Sequence, residues 1–177
     1  MALEIERRFL VYSEGWKALV ERREPMDQGY LSQGPEGITV RVRRAADKAW
    51  LTLKARTAST EVRHEFEYPI PVADATALLE LTPRRIEKTR HHLRLSGGIW
   101  VVDVFHGANA PLIVAEVELE HAGAALERPE WCGEEITSRG DLSNAALAEH
   151  PWSRRQRTNQ SVDYLKIPRH FEARQPL

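Results

Sequence analysis

Residues 3–12 read LEIERRFLVY, and charged side chains occupy alternate positions in the first half of this stretch. A period of two predicts a β-strand, in which residues i, i+2 and i+4 share one face. Glu4, Glu6 and Arg8 therefore share a face, while Arg7 lies on the opposite one. A charged face on one strand indicates a shared site only if other strands repeat it.

Four later segments repeat the charged alternation, and a fifth holds Asp103 between two valines. A solvated sheet face is the simplest explanation for any one of them. It explains the whole set less well, because solvated faces usually mix charged residues with Ser, Thr and Gln. The alternative is a closed sheet with a polar interior and apolar faces that pack outward under helices. The four charged faces carry Arg41 and Arg43; Arg63, Glu65 and Glu67; Lys88, Arg90, His92 and Arg94; and Glu116, Glu118 and Glu120.

The remaining periodicities divide the chain into about eight strands and a few helices. Ser13 is expected to cap a helix over Glu14–Arg23, and further helices are expected over residues 74–81 and 142–149. Short turns such as residues 96–98, SGG, join neighbouring strands into hairpins. The pattern predicts an α+β fold that is mainly antiparallel β, with closure into a barrel as one form of it.

The bulk composition excludes several classes of protein. A length of 177 residues suits one domain over residues 1–177, and the formal charge of −1 argues against a general nucleic-acid or membrane binder. Cys132 is the single cysteine and cannot form an internal disulfide, which fits a reducing compartment. The start is too charged for a signal peptide, and no long apolar run is present, so a cytoplasmic location is predicted.

Paired charges of both signs point to a particular ligand. Adjacent carboxylates repel each other unless a cation lies between them, and Mg²⁺ or Mn²⁺ prefers oxygen ligands. Paired Arg and Lys side chains need an anion with many oxygens, such as phosphate. A metal–polyphosphate complex satisfies both groups together.

Residues 4–8, EIERR, resemble the ExExK signature of the CYTH superfamily, the triphosphate tunnel metalloenzymes. Arg8 stands where the signature has Lys, which keeps the charge but changes its reach and donor geometry. The resemblance runs from Leu3 to about Ala148 through segments in the family's order, at residues 40–43, 53–54, 65–67, 86–90, 100–105 and 115–119.

The resemblance implies an eight-stranded antiparallel tunnel that binds a triphosphate inside, with Mg²⁺ or Mn²⁺ as cofactor. It implies metal ligands at Glu4, Glu6, Glu116 and Glu118. It implies phosphate binding by Arg8, Arg41, Arg43, Lys54, Lys88 and Arg90. Glu65, Glu67 and Asp103 would be acids beside the metal or behind its ligands. The expected catalytic residues are Glu4 and Glu118, as groups that orient the attacking water, and Lys54.

The predicted activity is hydrolysis of the terminal phosphoanhydride of a small triphosphate, with inorganic tripolyphosphate as the first candidate. Alternatives within the family are an adenylate cyclase and a thiamine, nucleoside or RNA triphosphatase. A polyphosphate-binding module without catalysis is another alternative, although paired glutamates would not help a pure anion binder. RNA binding by residues 154–157, RRQR, competes with a solvated helix face, and no nucleic-acid or membrane partner is predicted. The role of Lys166 and the oligomeric state are left open.

Overall fold

Eight antiparallel strands form one closed sheet in the computed structural model, which describes residues 3–32, 38–58, 62–121 and 123–154. Around the barrel the order is β5-β4-β3-β2-β6-β7-β8-β1, and β1 pairs again with β5 to close it. This confirms the predicted eight-stranded antiparallel tunnel. The strands are β1 (Leu3–Val11), β2 (Val20–Ser32), β3 (Thr39–Ala45), β4 (Lys48–Arg56), β5 (Val62–Pro69), β6 (Arg85–Leu93), β7 (Ile99–Phe105), β8 (Ile113–Glu118) and β9 (Cys132–Glu135), and the helices are α1 (Val72–Glu80) and α2 (Asn144–Glu149).

The barrel closes through the first half of β1. Residues Leu3, Glu4 and Ile5 pair with residues 62–64 of β5. The second half of β1 pairs instead with the short strand β9, where Phe9 lies opposite Glu135. The ninth strand therefore extends the same edge of β1 beyond the point where β5 leaves it. The sequence did not predict β9.

The prediction of a helix over Glu14–Arg23 is wrong. A 3₁₀ helix, Gly15–Leu19, is followed at once by β2, which begins at Val20. Pairing of β2 with β6, from Val20 opposite Leu93 to residues 29 and 85, overrides the local helix propensity. Trp16 still buries its side chain, as the amphipathic pattern predicted.

Both later helices are present with shifted starts. Helix α1 begins at Val72 after Pro71, two residues before the expected start at residue 74. Helix α2 is capped by Ser143, whose Oγ accepts a hydrogen bond from the backbone N–H of Ala146 at 3.2 Å. No helix in the described parts of the chain has the length and hydrophobicity needed to cross a membrane.

Apolar residues lie outside the barrel wall and at one end of its interior. Two clusters cover the outside, one around Trp16, Trp100 and Trp131 and one between β3, β4 and α1. A third cluster contains residues that continue the charged interior face along their strands, among them Leu10 and Val114, and packs them against Leu147 of α2. The barrel interior is therefore filled with apolar side chains at the end that α2 covers.

Candidate active site

Charged side chains line the rest of the interior, and the structure brings together there most of the residues that the alternation predicted to share it. Arg94 is 86% exposed in an ion pair with Glu21, and Glu120 is exposed beyond the end of β8. Alternate residues of β1, β3, β4, β5, β6, β7 and β8 meet there because the sheet closes on itself. Arg7, predicted on the opposite face, forms an ion pair outside the barrel with Glu135 of β9. The interior charges fall into three connected groups.

The deepest group is built on Asp103, which is 0% exposed. Its carboxylate accepts hydrogen bonds from Lys88 Nζ at 2.5 Å, Arg90 Nε at 2.8 Å and Arg90 Nη2 at 2.7 Å. Arg90 Nη2 also donates to Glu116 at 2.5 Å, and Arg8 Nε donates to the same carboxylate at 3.3 Å. Asp103 thus orients two of the predicted phosphate-binding cations.

Arg8 links this group to the closed end of the barrel. Its Nη2 donates to the backbone carbonyl of Leu142 at 2.9 Å. Leu142 belongs to the apolar cluster beneath α2. An arginine at this position can donate to Glu116 and to the Leu142 carbonyl at once because its planar fork carries several donors.

The second group joins β3 to β5. Arg41 Nη2 lies 3.3 Å from both Glu65 and Glu67, and Arg43 Nη2 donates to Glu67 at 2.9 Å and 3.0 Å. The Nε atoms of both arginines are buried and have no hydrogen-bond partner in the described part of the chain. Buried donors without a partner are costly, so an anion in the interior would stabilise them.

The third group lies at the seam between β1 and β5. Lys54 Nζ contacts Glu4 at 2.6 Å and Glu65 at 3.1 Å. Arg63 pairs with Glu6, and its Nε lies 3.9 Å from Glu4. This group connects to the second one through Glu65. The polar part of the interior therefore holds two ion-pair networks, one through Glu65 and one built on Asp103 and Glu116.

The two networks separate the pKa values of their acids and bases. Burial would raise the pKa of Glu4, but the nearby Lys54 ammonium and hydrogen bonds lower it to about 2. Burial and the negative charge of Glu4 raise the pKa of Glu65 above its usual range. Burial lowers the pKa of Lys88 to about 8, while Arg90 and Lys88 hold the pKa of Asp103 well below its usual value despite its burial. At neutral pH Glu4 and Asp103 are therefore ionised.

Acid is expected to destabilise the protein partly through Glu4. The folded-state pKa of about 2 lies below the ordinary 4.5, so the stabilisation is present above pH 4.5 and is lost as the pH falls towards 2. Glu65 acts with the opposite sign, and we expect the pair to account for about 1–2 kcal/mol of lost unfolding free energy at pH 3. Urea unfolding of the wild type and Glu4→Gln at pH 3 and pH 6 checks this. Equal losses in the two proteins would contradict it.

The predicted metal ligands are carboxylates that the chain mostly pairs with its own cations. Within the described residues, no three Asp, Glu, His or Cys side chains are grouped so as to hold a metal ion. Glu6 and Glu118 are nevertheless direct partners across β1 and β8, which places their Cβ atoms about 5 Å apart on one face. Glu118 is exposed and makes no hydrogen bond or ion pair with the described residues. This all-oxygen donor set fits Mg²⁺ or Mn²⁺ when the paired cations engage an anion instead.

Some interior residues were missed by the sequence. Thr52 is fully buried, accepts a hydrogen bond from Arg41 at 3.0 Å and donates one to Glu67 at 2.9 Å. Gln28 donates to Tyr30 Oη at 2.9 Å, and burial raises the pKa of that phenol to about 12. Thr52 shares the period of Lys54 and could have been found from it. The other two were hidden because β2 was not recognised as one long strand.

Residues outside the charged motifs have structural roles where they are described. His91 packs edge-on against Trp16 at 4.9 Å, and its neighbour His92 lies 3.2 Å from Glu24. Burial raises the pKa of Cys132 to about 12, so its thiol stays protonated. Residues 155–157, for which RNA binding and a solvated helix face were the two explanations, lie outside the described residues, as does Lys166.

Known proteins share both the sequence pattern and the architecture. Residues 2–147 match the CYTH domain family. The chain is 36% identical over 154 residues to the inorganic triphosphatase of Acetivibrio thermocellus, covering 86% of this chain and 97% of that protein. It is 38% identical over 151 residues to the inorganic triphosphatase of Nitrosomonas europaea, covering 82% and 96%. A crystal structure of an inorganic triphosphatase superposes with a TM-score of 0.61 at 36% identity, covering 84% of this chain and 95% of that one.

Proposed function

The chain belongs to the CYTH domain family, and we propose on that premise that it is a metal-dependent triphosphatase acting on inorganic tripolyphosphate. One observation carries the proposal: inside a closed sheet, predicted phosphate-binding cations contact predicted metal-binding carboxylates, Lys54 at Glu4 and Arg90 at Glu116. A module that only binds anions gains nothing from carboxylates beside its ligand. An enzyme that handles a metal-bound triphosphate requires both.

Triphosphate binding is an exchange of ion-pair partners. Arg41, Arg43 and Arg90 each contact carboxylates at 3.3 Å or less and can turn to phosphate oxygens at little electrostatic cost. The two unpartnered Nε donors of the β3 arginines gain acceptors at the same time. When Arg90 turns to a phosphate, the exchange releases Glu116, which is then free to bind a cation.

Catalysis by this site consists of positioning and charge neutralisation. The transferred phosphoryl group gains charge on its oxygens in the transition state, and fixed Lys and Arg donors stabilise it there. Mg²⁺ or Mn²⁺ held by Glu4, Glu6, Glu116 and Glu118 would add positive charge beside the phosphate oxygens. Glu118, exposed and without a partner in the described chain, is suited to accept a hydrogen bond from the attacking water. Lys54 holds Glu4, the other candidate for orienting water, in its ionised form.

The closed inner end favours a small inorganic substrate. Apolar side chains and α2 fill the space beyond Arg8, so an organic group attached to the triphosphate would have to remain at the open end. Two relatives that share more than a third of their residues with this chain are named inorganic triphosphatases, which supports the same substrate. A cytoplasmic location remains the one that the lone cysteine predicts.

Phosphate release from tripolyphosphate, ATP and thiamine triphosphate tests the proposal. We expect the highest kcat/KM with tripolyphosphate, dependence on added Mg²⁺ or Mn²⁺, and loss of turnover in EDTA. Cyclic AMP formed from ATP would support a cyclase instead. Tight tripolyphosphate binding without turnover in either metal would support a binding module.

A further inference from the structure

Arg63 lies at the seam that closes the barrel. Its backbone pairs with Glu4 across the three-residue contact between β5 and β1. Its guanidinium forms an ion pair with Glu6, two residues further along the same face of β1. A cation of the chain therefore contacts a carboxylate to which the proposed function assigns a metal ion.

Glu6 depends on this cation. Its side chain is only 13% exposed, and Arg63 is the cationic partner that the described residues give it. Glu118 lies directly opposite Glu6 in β8 and adds a second negative charge. A largely buried carboxylate beside a second negative charge is costly without a counter-ion. Glu4, by contrast, has Lys54 at 2.6 Å as well.

Arg63 is held less firmly than the cations deeper in the barrel. Its Nε is buried without a hydrogen-bond partner in the described chain, and its side chain keeps 29% of its surface exposed. Arg90, for comparison, makes three bonds of 2.8 Å or less to Asp103 and Glu116. Arg63 can therefore move towards solvent with less loss than Arg90.

We propose that Arg63 is an internal counter-ion that a divalent metal displaces from Glu6, so that this ion pair sets the metal affinity of the site. The inference rests on the proposed function, because it takes Glu6 as a metal ligand. Metal binding must break the Arg63–Glu6 pair, and the free energy of that pair is subtracted from the binding free energy of the metal. When no metal is bound, the Arg63 charge reduces the repulsion between the Glu6 and Glu118 carboxylates.

Calorimetric titration of the full-length protein with MnCl₂ alone, without substrate, tests this. We expect R63Q to bind Mn²⁺ with a Kd about tenfold lower than the wild type, because the competing charge is gone. R7Q is the matched control: Arg7 is next to Glu6 in β1 but forms its ion pair with Glu135 outside the barrel, so its loss should leave the Kd unchanged. Glu6→Gln should weaken Mn²⁺ binding in the wild type and in R63Q alike.

Thermal unfolding gives a second readout. In EDTA, R63Q should unfold at a lower temperature than the wild type, and saturating Mn²⁺ should raise its Tm by more than it raises that of the wild type. If R63Q does not fold, R63K replaces it. Lysine is shorter and lacks the planar fork of arginine, so it should pair less firmly with Glu6. R63K should therefore bind Mn²⁺ about threefold more tightly than the wild type.

The inference would be overturned if the Kd of R63Q for Mn²⁺ equalled or exceeded the wild-type value. The same criterion applies to R63K where that variant replaces R63Q. The inference would also be overturned if the wild type and the variant both failed to bind Mn²⁺. The proposed function is judged separately by phosphate release: a wild type that leaves tripolyphosphate intact refutes it, whatever the ratio of the two Kd values.

Discussion

Lys54→Ala is expected to lower kcat/KM for tripolyphosphate by about 10²–10³-fold, the loss typical of removing one fixed donor that stabilises transition-state charge. The ammonium contacts Glu4 at 2.6 Å and Glu65 at 3.1 Å in one of the two interior networks. Its removal takes away a phosphate partner and leaves two carboxylates facing each other. Steady-state phosphate release in saturating Mg²⁺ measures the effect.

The fold should survive the Lys54 change, because Arg63 and Arg41 still offer positive charge to the two glutamates. A cooperative urea transition and an unchanged circular dichroism spectrum would show this. Lys48→Ala is the matched control, since Lys48 is an exposed lysine at the start of the same strand. Activity within about threefold of wild type in Lys54→Ala, or an equal loss in both variants, would contradict the assigned role.

Asp103→Asn is expected to reduce the free energy of unfolding by about 3–5 kcal/mol, the usual loss when one member of a buried ion pair is removed. Asp103 is fully buried and is the shared acceptor of Lys88 and Arg90. Without it, Lys88 loses its carboxylate, while Arg90 keeps Glu116 at 2.5 Å. Since domains are stable by only about 5–15 kcal/mol, we also expect reduced yield of folded protein.

A double-mutant cycle separates this effect from a general loss of packing. Replacing Lys88 by Met in the Asp103→Asn background removes the buried ammonium that has lost its carboxylate partner. The double variant should therefore be more stable than Asp103→Asn alone. Asp47→Asn, in the exposed turn between β3 and β4, is the surface control. Urea unfolding measures the wild type, the two single variants, the double variant and the surface control. A loss below about 1 kcal/mol in Asp103→Asn would mean that the buried triad does not stabilise the fold.

Side-chain period was enough to predict which residues share the interior. In a strand the choice of face follows from parity alone, so Glu4, Glu6 and Arg8 had to lie together whatever the partner strands were. The same reasoning correctly placed Arg7 outside, where Glu135 now pairs with it. Local alternation carries this information because it needs no knowledge of distant contacts.

Partnerships across the barrel could not be predicted in the same way. The pairing of Glu4 with Arg63 joins residues 59 positions apart in the chain, and no local pattern encodes that register. It follows from closure of the sheet, which depends on the tilt of all eight strands together. The sequence therefore placed Arg63 on a charged face without showing its contact with Glu6.

Two elements escaped prediction because tertiary pairing outweighed local signals. Residues 20–23 have good helix formers, yet they continue as β2 because β6 offers a long antiparallel partner. Strand β9 has only four residues, too few for alternation to be detected, and exists because β1 extends beyond β5. The first error also concealed Gln28 and Tyr30 as interior residues.

Binding of a metal-bound triphosphate is expected to open the ion pairs of the barrel interior. A crystal structure with Mn²⁺ and the slowly hydrolysed imidotriphosphate tests it most directly. We predict phosphate groups inside the barrel against Arg41, Arg43, Lys88 and Arg90, and an anomalous manganese peak beside Glu6 and Glu118. Phosphate and manganese bound only on the outer surface, with the interior ion pairs unchanged, would contradict the account.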